Sequence, residues 1–397
     1  MSQSFGESEY AMAFLVWCSI IGTFYAYFGY PLVLALLLKV RGPRVRTQEA
    51  SPPLLPATLI ITVRNEARVI REKLLNTLEM RYGGRSLKDA GVQVIVASDA
   101  SEDETDSVVR EFEPSGVELV RLDVRGGKEQ AQRHAVSFAR GEMIVFTDAK
   151  IRLEPDALER FSAYFSDPSV GAVSSVDRVE GAPGSGSGEG MYVRYEMWLR
   201  ALESDYSTLV GLSGSCFAVR KTVTEHLRTD IPSDFALLLA SRKLGMRGVH
   251  APDVVGTYQA VGSEKAEYER KVRTVLRGIT TLFASREVMD LSRYGSFSWQ
   301  IISHKLFRWL VPWFLVVAGI GLVILGPTGG VYGLLELLMI LFLAAAGAAY
   351  LKPELRENIF CKLPLFFLLV NAGIAVAWWR FLTGQRAVTW NPSDKGR

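Results

Sequence analysis

The chain has 397 residues, of which 49% are hydrophobic and 11% aromatic, and its formal net charge at neutral pH is only +3. This length accommodates two or three ordinary domains, and so small a charge gives no reason to expect a nucleic-acid partner. The three cysteines form no C-x-x-C pair and no zinc-spaced cluster with histidine. We therefore expect free thiols in a reducing compartment.

The apolar residues are concentrated in four runs. The first carries no charge between Glu9 and Lys39, the second is WLVPWFLVVAGIGLVILGP after Arg308, and the others cover 331–351 and 363–379. The first run is long enough to cross a membrane with some tilt. Because no basic residue precedes Lys39, it is better explained as an uncleaved transmembrane helix than as a secretory signal. The fourth run is short; we favour spanning, and a position in the membrane interface is the alternative.

Loop charges orient these spans. Acidic residues alone precede the first run and KVRGPRVR follows it, so the positive-inside rule places its C-terminal end and residues 55–300 in the cytoplasm. The second and third spans form a hairpin through the turn GPTGG, which puts 352–362 on the cytoplasmic side too. We divide the chain into an N-terminal transmembrane helix with a basic linker (1–50), a cytoplasmic domain (51–290), and an interfacial helix with a C-terminal transmembrane region (291–397).

The cytoplasmic part alternates strands and helices. From Ala57 to Phe165, successive segments read as a strand, a polar turn and a helix. This alternation predicts a mainly parallel sheet with helices on both faces, and ligands bind such sheets beyond the carboxyl ends of the strands. Those ends carry Glu66, Asp99 and Asp148. One such residue is readily explained as a helix cap, but carboxylates at three strand ends favour a ligand site.

Three further features lie along the chain. In IVFTDAK, Lys150 stands where a second carboxylate would complete a metal-binding pair with Asp148. Asp234 opens a predicted helix, where capping explains it equally well. The basic helix EKAEYERKVRTVLRG contains Arg273 and is a solvated face, a phosphate clamp or a surface for anionic lipid. The Gly/Ser-rich segment 182–190 is predicted to be a flexible loop beside the site.

In order, the chain's motifs resemble those of membrane-integrated family-2 glycosyltransferases, the group that includes polysaccharide, cellulose and hyaluronan synthases. Eight stretches carry the resemblance: VRNE (63–66), SDASEDETD (98–106), GGKEQAQRHA (126–135), FTDA (146–149), GLSGSCFAVRK (211–221), PSDF (232–235), RKVRT (270–274) and KLFRW (305–309). Together they cover most of the predicted cytoplasmic region and agree with the spans on either side of it.

The resemblance implies a glycosyltransferase A fold, a Rossmann-like domain whose sugar-nucleotide site lies at the strand ends. Glu66 and Asp99 match positions that hold the uridine or another nucleoside, and Lys128 matches a basic residue near the nucleotide. Asp148 matches the first Asp of the D-x-D motif, a metal ligand, while Lys150 replaces the second.

The resemblance also implies an acceptor side. Asp234 matches the catalytic base, the last Asp of a T-E-D or D-D motif. Arg308 and Trp309 match the end of Q-x-x-R-W, which lies at the membrane interface beside the acceptor and the diphosphate. Ser233 stands where an acidic residue usually precedes the base, and Lys305 stands where the motif has Gln, which weakens the inference to a processive polymerase. The predicted acceptor and diphosphate site comprises Lys305, Arg308, Trp309 and Arg273.

The chemistry agrees with these residue types. Displacing a nucleoside diphosphate from an anomeric carbon needs a base for the acceptor hydroxyl and positive charge for the leaving group. In-line attack assisted by Asp234 would invert the anomeric configuration. We expect a divalent cation, Mg²⁺ or Mn²⁺, at Asp148, bound more weakly than by two carboxylates because of Lys150. The alternative is that the Lys150 ammonium itself supplies part of this charge.

The leading hypothesis is an inverting, membrane-bound glycosyltransferase that moves a hexosyl or N-acetylhexosaminyl group to a polysaccharide or a lipid-linked acceptor. The expected partners are a nucleotide sugar, with a UDP-sugar favoured, membrane lipid, and an oligomeric or synthase partner, in the inner membrane of a cell. A catalytically weak scaffold or binding subunit of a synthase complex is the alternative, motivated by Lys150. A transporter is less consistent, because Glu336 is the only charge within the apolar runs and lies near an end.

Overall fold

The computed structural model describes residues 7–43, 53–180, 188–259 and 264–385. The predicted flexible loop lies largely outside the described residues, as do the basic positions 44–46 of the linker and the tail after residue 385. The fifteen α-helices of the described part are α1 Glu7–Phe24, α2 Tyr30–Arg41, α3 Ala67–Leu78, α4 Thr105–Arg110, α5 Lys128–Val136, α6 Ala157–Tyr164, α7 Gly188–Tyr206, α8 Lys221–Thr224, α9 Ser233–Lys243, α10 Glu264–Ala284, α11 Leu291–Tyr294, α12 Ser296–Ile301, α13 Phe307–Leu325, α14 Gly330–Leu351 and α15 Ile359–Leu382.

The strands alternate with these helices as predicted. They are β1 Ala57–Val63, β2 Arg81–Tyr82, β3 Arg85–Ser86, β4 Gln93–Ser98, β5 Val117–Arg121, β6 Met143–Asp148, β7 Arg152–Leu153, β8 Val170–Glu180, β9 Cys216–Arg220 and β10 Arg247–Gln259. Eight of them form one sheet in the order β5-β4-β1-β6-β9-β8-β10-β7, and β2 pairs with β3 in a separate hairpin.

The main sheet is mixed but mainly parallel, as the sequence predicted: only β9 and the edge strand β7 run against the other six strands. Strands β5, β4, β1 and β6 are parallel to one another, and so are β8 and β10, but β9 runs antiparallel to both β6 and β8. The register places Thr147 of β6 opposite Cys216, the first residue of β9. The loop that enters β9 therefore lies at the same sheet edge as the carboxyl end of β6, beside Asp148.

The central strands are buried on both faces, which explains why they read as continuous apolar runs. On one face Leu59 and Ile61 of β1 belong to a cluster with Leu74 of α3. On the other face Ile60 belongs to a cluster with Leu237 of α9. Helices thus cover both faces of these central strands.

Helices at both ends of the chain match the predicted spans. Among the described residues, four helical segments are long and apolar enough to cross a membrane: Glu7–Arg41, Ser296–Thr328, Gly330–Leu351 and Ile359–Leu382. π-Helical segments join α1 to α2 and α12 to α13 without ending the helical run. The α/β domain of Rossmann type with candidate transmembrane helices at both ends is therefore confirmed.

The first segment packs on α13 through small residues. A Cβ at Gly22 would lie 2.8 Å from the ring of Phe314, and one at Gly321 would lie 2.3 Å from the side chain of Val16. Close approach through glycine is how helices commonly associate within a bilayer. Large apolar side chains such as Phe14 and Ile320 remain exposed on these helices, as lipid-facing surfaces require.

Candidate active site

The carboxyl ends of β4, β1 and β6 lie side by side. Thr62 of β1 is opposite Asp148 of β6, and Val63 is opposite Ser98 of β4. The residues that follow these strands therefore meet at one sheet edge, as the sequence predicted for Glu66, Asp99 and Asp148. None caps its neighbouring helix: Glu66 precedes α3, yet its side chain makes no capping hydrogen bond.

Asp148 forms an ion pair with Lys128. The Lys128 Nζ lies 2.5 Å from Asp148 Oδ1 and also donates to the carbonyl oxygen of Gly214 at 3.0 Å. The backbone N–H of Asp148 donates to the carbonyl oxygen of Ser215 at 3.0 Å. The start of α5 and the loop before β9 are thus both attached to the end of β6.

Asp99 is fully buried and holds the turn that leads into α5. Its Oδ1 accepts hydrogen bonds from the backbone N–H groups of Gly126 at 2.7 Å and Gly127 at 3.0 Å, and its Oδ2 accepts from Gly127 at 3.0 Å. Gly127 has φ of +92°, a conformation that favours glycine. The structure places this predicted nucleoside contact beneath the site, where it positions Lys128 through the Gly-Gly turn.

Glu66 forms the second ion pair of the site, with Lys150. The Lys150 Nζ lies 3.0 Å from Glu66 Oε1. Burial raises the pKa of the Glu66 carboxyl above its usual value, and the nearby Lys150 charge opposes that rise. Lys150 therefore points across the strand ends toward β1 and compensates a mostly buried acid.

Sequence reasoning missed Lys73, which lies beneath the same strand ends. Its buried Nζ donates to Thr147 Oγ1 at 3.2 Å and to the carbonyl oxygen of Ile151 at 2.6 Å. Burial lowers its pKa from 10.5 to about 8, against the opposing charge of Asp148. A signal existed in the sequence, because Lys73 falls at helical spacing between the apolar residues of α3.

Asp234 lies next to this cluster through the loop before β9. A Cβ at Gly214 would be 3.2 Å from Asp234 Oδ2, so the absence of a side chain lets the carboxylate approach the loop. Asp234 is in the first turn of α9, after Pro232, and no described residue donates a hydrogen bond to its half-buried carboxylate. The backbone of Gly214 therefore has Lys128 on one side and Asp234 on the other.

On the membrane side, Arg308 is buried against α7. Its guanidinium pairs with Glu196 and lies 5.6 Å from the ring centroids of both Tyr27 and Tyr195. Burial opposes ionisation of Glu196, but Arg308, followed by His304, holds its pKa well below the usual range. Glu196 was not predicted; an acid between aromatic residues on α7 was the available signal.

The remaining predicted acceptor residues lie around this pair. Lys305 approaches the loop before β9, since a Cβ at Gly211 would be 3.4 Å from its Nζ. The Trp309 ring is buried against α10, where a Cβ at Gly278 would be 2.8 Å from it. In this structure Trp309 packs in the core between α10, α13 and α15 and does not present an open face for a sugar ring.

Arg273 lies one turn from the contact between α10 and α5. Burial lowers the pKa of its guanidinium, and the neighbouring charges of Arg277 and Arg270 lower it further. Arg277 itself pairs with the buried Glu129, the residue after Lys128. The basic side of α10 thus borders the Lys128 end of the site.

The donor set does not fit a resident metal ion. No group of three or more His, Cys, Asp or Glu side chains that could hold a metal occurs within the described part of the chain. Asp148 has Lys128 at one oxygen, and Glu66, at the neighbouring strand end, has Lys150. A divalent ion held by these two acids would have to displace an ammonium group from each.

Comparisons with known proteins bear on the family and the fold. Residues 58–228 match the family described as Glycosyl transferase family 2. A mannosyltransferase of Pyrobaculum calidifontis, PcManGT, solved with GDP-Man and Mn²⁺, has a similar structure, with a TM-score of 0.70, 24% sequence identity, and coverage of 93% of this chain and 99% of that one. That similarity supports the fold.

A second similarity is to the uncharacterized protein MT1568 of Mycobacterium tuberculosis (strain CDC 1551 / Oshkosh), which is 33% identical over 96 residues. The match covers 24% of this chain and 30% of that relative, so the chain spans less than a third of its length. The family match supports glycosyl transfer, and over residues 58–228, less than half of the chain, it confirms the resemblance to family-2 glycosyltransferases seen in the sequence.

Proposed function

We propose that this family-2 domain transfers a sugar from a nucleotide-sugar donor to an acceptor at the membrane, with inversion at the anomeric carbon. The observation that carries the proposal is the convergence on Gly214, where the Lys128–Asp148 pair meets one side of the loop and Asp234 the other. A base and a phosphate-binding cation are the two groups that such a displacement requires.

The roles follow from the chemistry of each group. The Asp234 carboxylate takes the proton of the acceptor hydroxyl while that oxygen attacks the anomeric carbon. The bond between this carbon and the phosphate oxygen breaks, and its electron pair leaves with the nucleoside diphosphate. Because the acceptor oxygen enters opposite to the leaving group, the configuration inverts. Glu66 lies on the β1 side of the site, where the sequence resemblance puts the nucleoside.

The donor and acceptor classes remain part of the proposal. A UDP-sugar is favoured by the sequence resemblance. GDP-mannose is a second candidate donor, because PcManGT was solved with GDP-Man. Either a hexosyl or an N-acetylhexosaminyl group suits the chemistry. Lys305, Arg308 and Arg273 provide the positive charge for a lipid-linked or polysaccharide acceptor on the membrane side, and Trp309 supports them from the core.

We propose that this reaction takes place at the cytoplasmic face of an inner membrane. Their number and apolarity are consistent with an integral membrane protein. The charge rule puts the domain bounded by residues 51 and 290 in the cytoplasm, where nucleotide sugars are available, and the regions 1–50 and 291–397 in or at the bilayer.

The test is release of nucleoside diphosphate by the full chain purified in detergent, over a panel of UDP- and GDP-sugars with a membrane-lipid extract as acceptor. Asp234→Asn should lower turnover at least about 100-fold, because it removes the general base. Asp230→Asn is the matched control, since Asp230 is an exposed acid in the same loop that pairs with Arg228. Full activity of Asp234→Asn would contradict its assignment as base.

A catalytically weak binding subunit is the competing function, and the Lys150–Glu66 pair at the strand ends favours it. Such a protein would bind the nucleotide sugar without breaking it. Equal absence of diphosphate release in the parent chain and in Asp234→Asn, with nucleotide binding retained, would support this second function and reject the first.

A further inference from the structure

Two carboxylates at the strand ends are each paired with a lysine ammonium group. Lys128 lies 2.5 Å from Asp148, and Lys150 lies 3.0 Å from Glu66. In a two-carboxylate motif the position of Lys150 would be negative, so lysine changes its charge from −1 to +1. Each of these two acids is thus paired with one of the protein's own cations, so a divalent ion would compete with an ammonium group at either carboxylate.

The backbone beside each lysine is anchored by other side chains. Lys128 donates to the Gly214 carbonyl and follows the Gly-Gly turn that Asp99 anchors. Lys150 lies in the turn between Asp148 and Ile151, where the Lys73 Nζ donates to the Ile151 carbonyl oxygen at 2.6 Å. Cations positioned before the substrate arrives need little reorganisation when charge develops on a leaving group.

The two pairs also remain accessible from the open edge of the sheet. The side chains of Asp148 and Lys150 are 31% and 27% exposed, whereas Glu66 is 8% exposed. Lys150 is thus more exposed than the acid it pairs with, whereas Lys128, at 11%, is less exposed than Asp148. An anion arriving at this edge would therefore meet the Lys150 ammonium before the buried Glu66.

We propose that the ammonium groups of Lys128 and Lys150 bind the donor diphosphate and stabilise its departing charge in place of a divalent cation. This inference rests on the proposed function and specifies its leaving-group chemistry. Both lysines keep their protons and donate hydrogen bonds to phosphate oxygens. The electron pair of the broken bond stays on the diphosphate, and the acceptor proton goes to Asp234.

The first experiment measures binding of UDP and GDP to the full chain in detergent by calorimetry, in EDTA and in Mn²⁺. We expect the affinity in EDTA to equal that in Mn²⁺, and Lys150→Gln to weaken binding in EDTA about tenfold or more by loss of a charge-assisted hydrogen bond. Lys88→Gln is the control, because Lys88 is exposed and precedes β4, at the opposite end of that strand.

Three results would overturn the inference. If either diphosphate binds only with Mn²⁺, or if Lys150→Gln binds as the parent does in EDTA, the lysines do not replace the ion, although the proposed function stands. If neither diphosphate binds under either condition, the proposed function fails together with this inference.

A second experiment uses Mn²⁺ alone and needs neither nucleotide nor activity. Electron paramagnetic resonance reports free aqueous Mn²⁺, and we expect the parent chain to leave that signal unchanged. Lys150→Asp, which places a second carboxylate two residues after Asp148, should reduce the signal by binding the ion. Uptake of Mn²⁺ by the parent chain as tight as by Lys150→Asp would overturn the inference.

Discussion

Lys73 connects the buried face of α3 to the turn that carries the site. Its Nζ contacts Thr147 and the Ile151 carbonyl, on either side of Asp148 and Lys150. Burying the charged ammonium group away from water costs free energy, and loss of its proton removes that cost. For this reason the pKa of Lys73 falls to about 8. This side chain therefore couples the stability of the domain to pH.

A pH prediction follows for Lys73. An unfolded lysine keeps its proton up to about pH 10.5, whereas the folded protein releases it near pH 8. Between these values the unfolded state binds more protons, so the free energy of unfolding rises with pH. We expect the parent chain to gain about 1 kcal/mol relative to Lys73→Met from pH 7 to pH 9, measured by denaturation in detergent. Parallel pH profiles of the two proteins would contradict this role.

Gly214 gives a second prediction at the same scale. Because an added Cβ would lie 3.2 Å from Asp234 Oδ2, Gly214→Ala should displace that carboxylate and lower turnover about tenfold or more. Thermal stability should change little, since the neighbour is a side-chain end. Gly245→Ala is unsuitable as a control because of its positive φ; Gly347→Ala, with no atom within 4 Å of the added Cβ, is suitable. Unchanged turnover in Gly214→Ala would show that Asp234 tolerates the shift.

Helix α10 is one of the elements that join the α/β domain to the candidate membrane helices. At one point Arg277 pairs with Glu129 of α5, and at another Gly278 admits the ring of Trp309. Helix α10 also approaches α15, since a Cβ at Gly373 of α15 would lie 3.4 Å from the ring of Tyr268 of α10. A displacement of α10 would therefore also move the start of α5, where Lys128 lies.

The Arg277–Glu129 pair tests this connection. Glu129 is 4% exposed, so Arg277→Gln leaves a buried acid without its partner, which should cost about 3 kcal/mol of stability. The double variant Arg277→Gln/Glu129→Gln should recover part of that loss, because no unpaired charge remains. Thermal denaturation in detergent measures both changes. Additive losses in the two single variants and the double variant would show that the pair does not couple the helices.

The whole molecule combines a domain with an open strand edge and helices that expose apolar side chains. Large apolar residues such as Phe14, Ile320 and Leu341 are exposed on the candidate spans, whereas the sheet strands are buried. The short connection between α13 and α14 makes those two helices a hairpin, since Gly329 and Gly330 both have positive φ. The connection to α15 should then return to the side of the soluble domain.

Single cysteines test this topology. In a background with Cys18 and Cys361 replaced by serine, Thr328→Cys should react with a membrane-impermeant maleimide in intact cells. Lys352→Cys should react only after permeabilisation, because the positive-inside rule places it in the cytoplasm. Both positions are exposed, so burial does not limit labelling. Labelling of Lys352→Cys in intact cells would reverse the predicted orientation.

Local pattern was sufficient for the elements, because helical and strand periodicity are properties of neighbouring residues. The strands that end before Glu66 and Asp99, the start of α5 at Lys128, and the apolar helices all follow from such patterns. The direction of β9 does not follow from any local pattern, because it depends on a connection across α7. That reversal brings Gly214 beside Asp148, which no local pattern encodes.

The sequence by itself determined the family-2 motifs, the alternating α/β domain and the apolar segments at both ends, because each is written in consecutive residues. Only the tertiary structure decided which charges meet. Lys128 and Gly214 are 86 positions apart, and Lys73 and Ile151 are 78 apart. Partners so distant are chosen by sheet order and by burial. For that reason the sequence left Lys150 ambiguous, while the fold pairs it with Glu66.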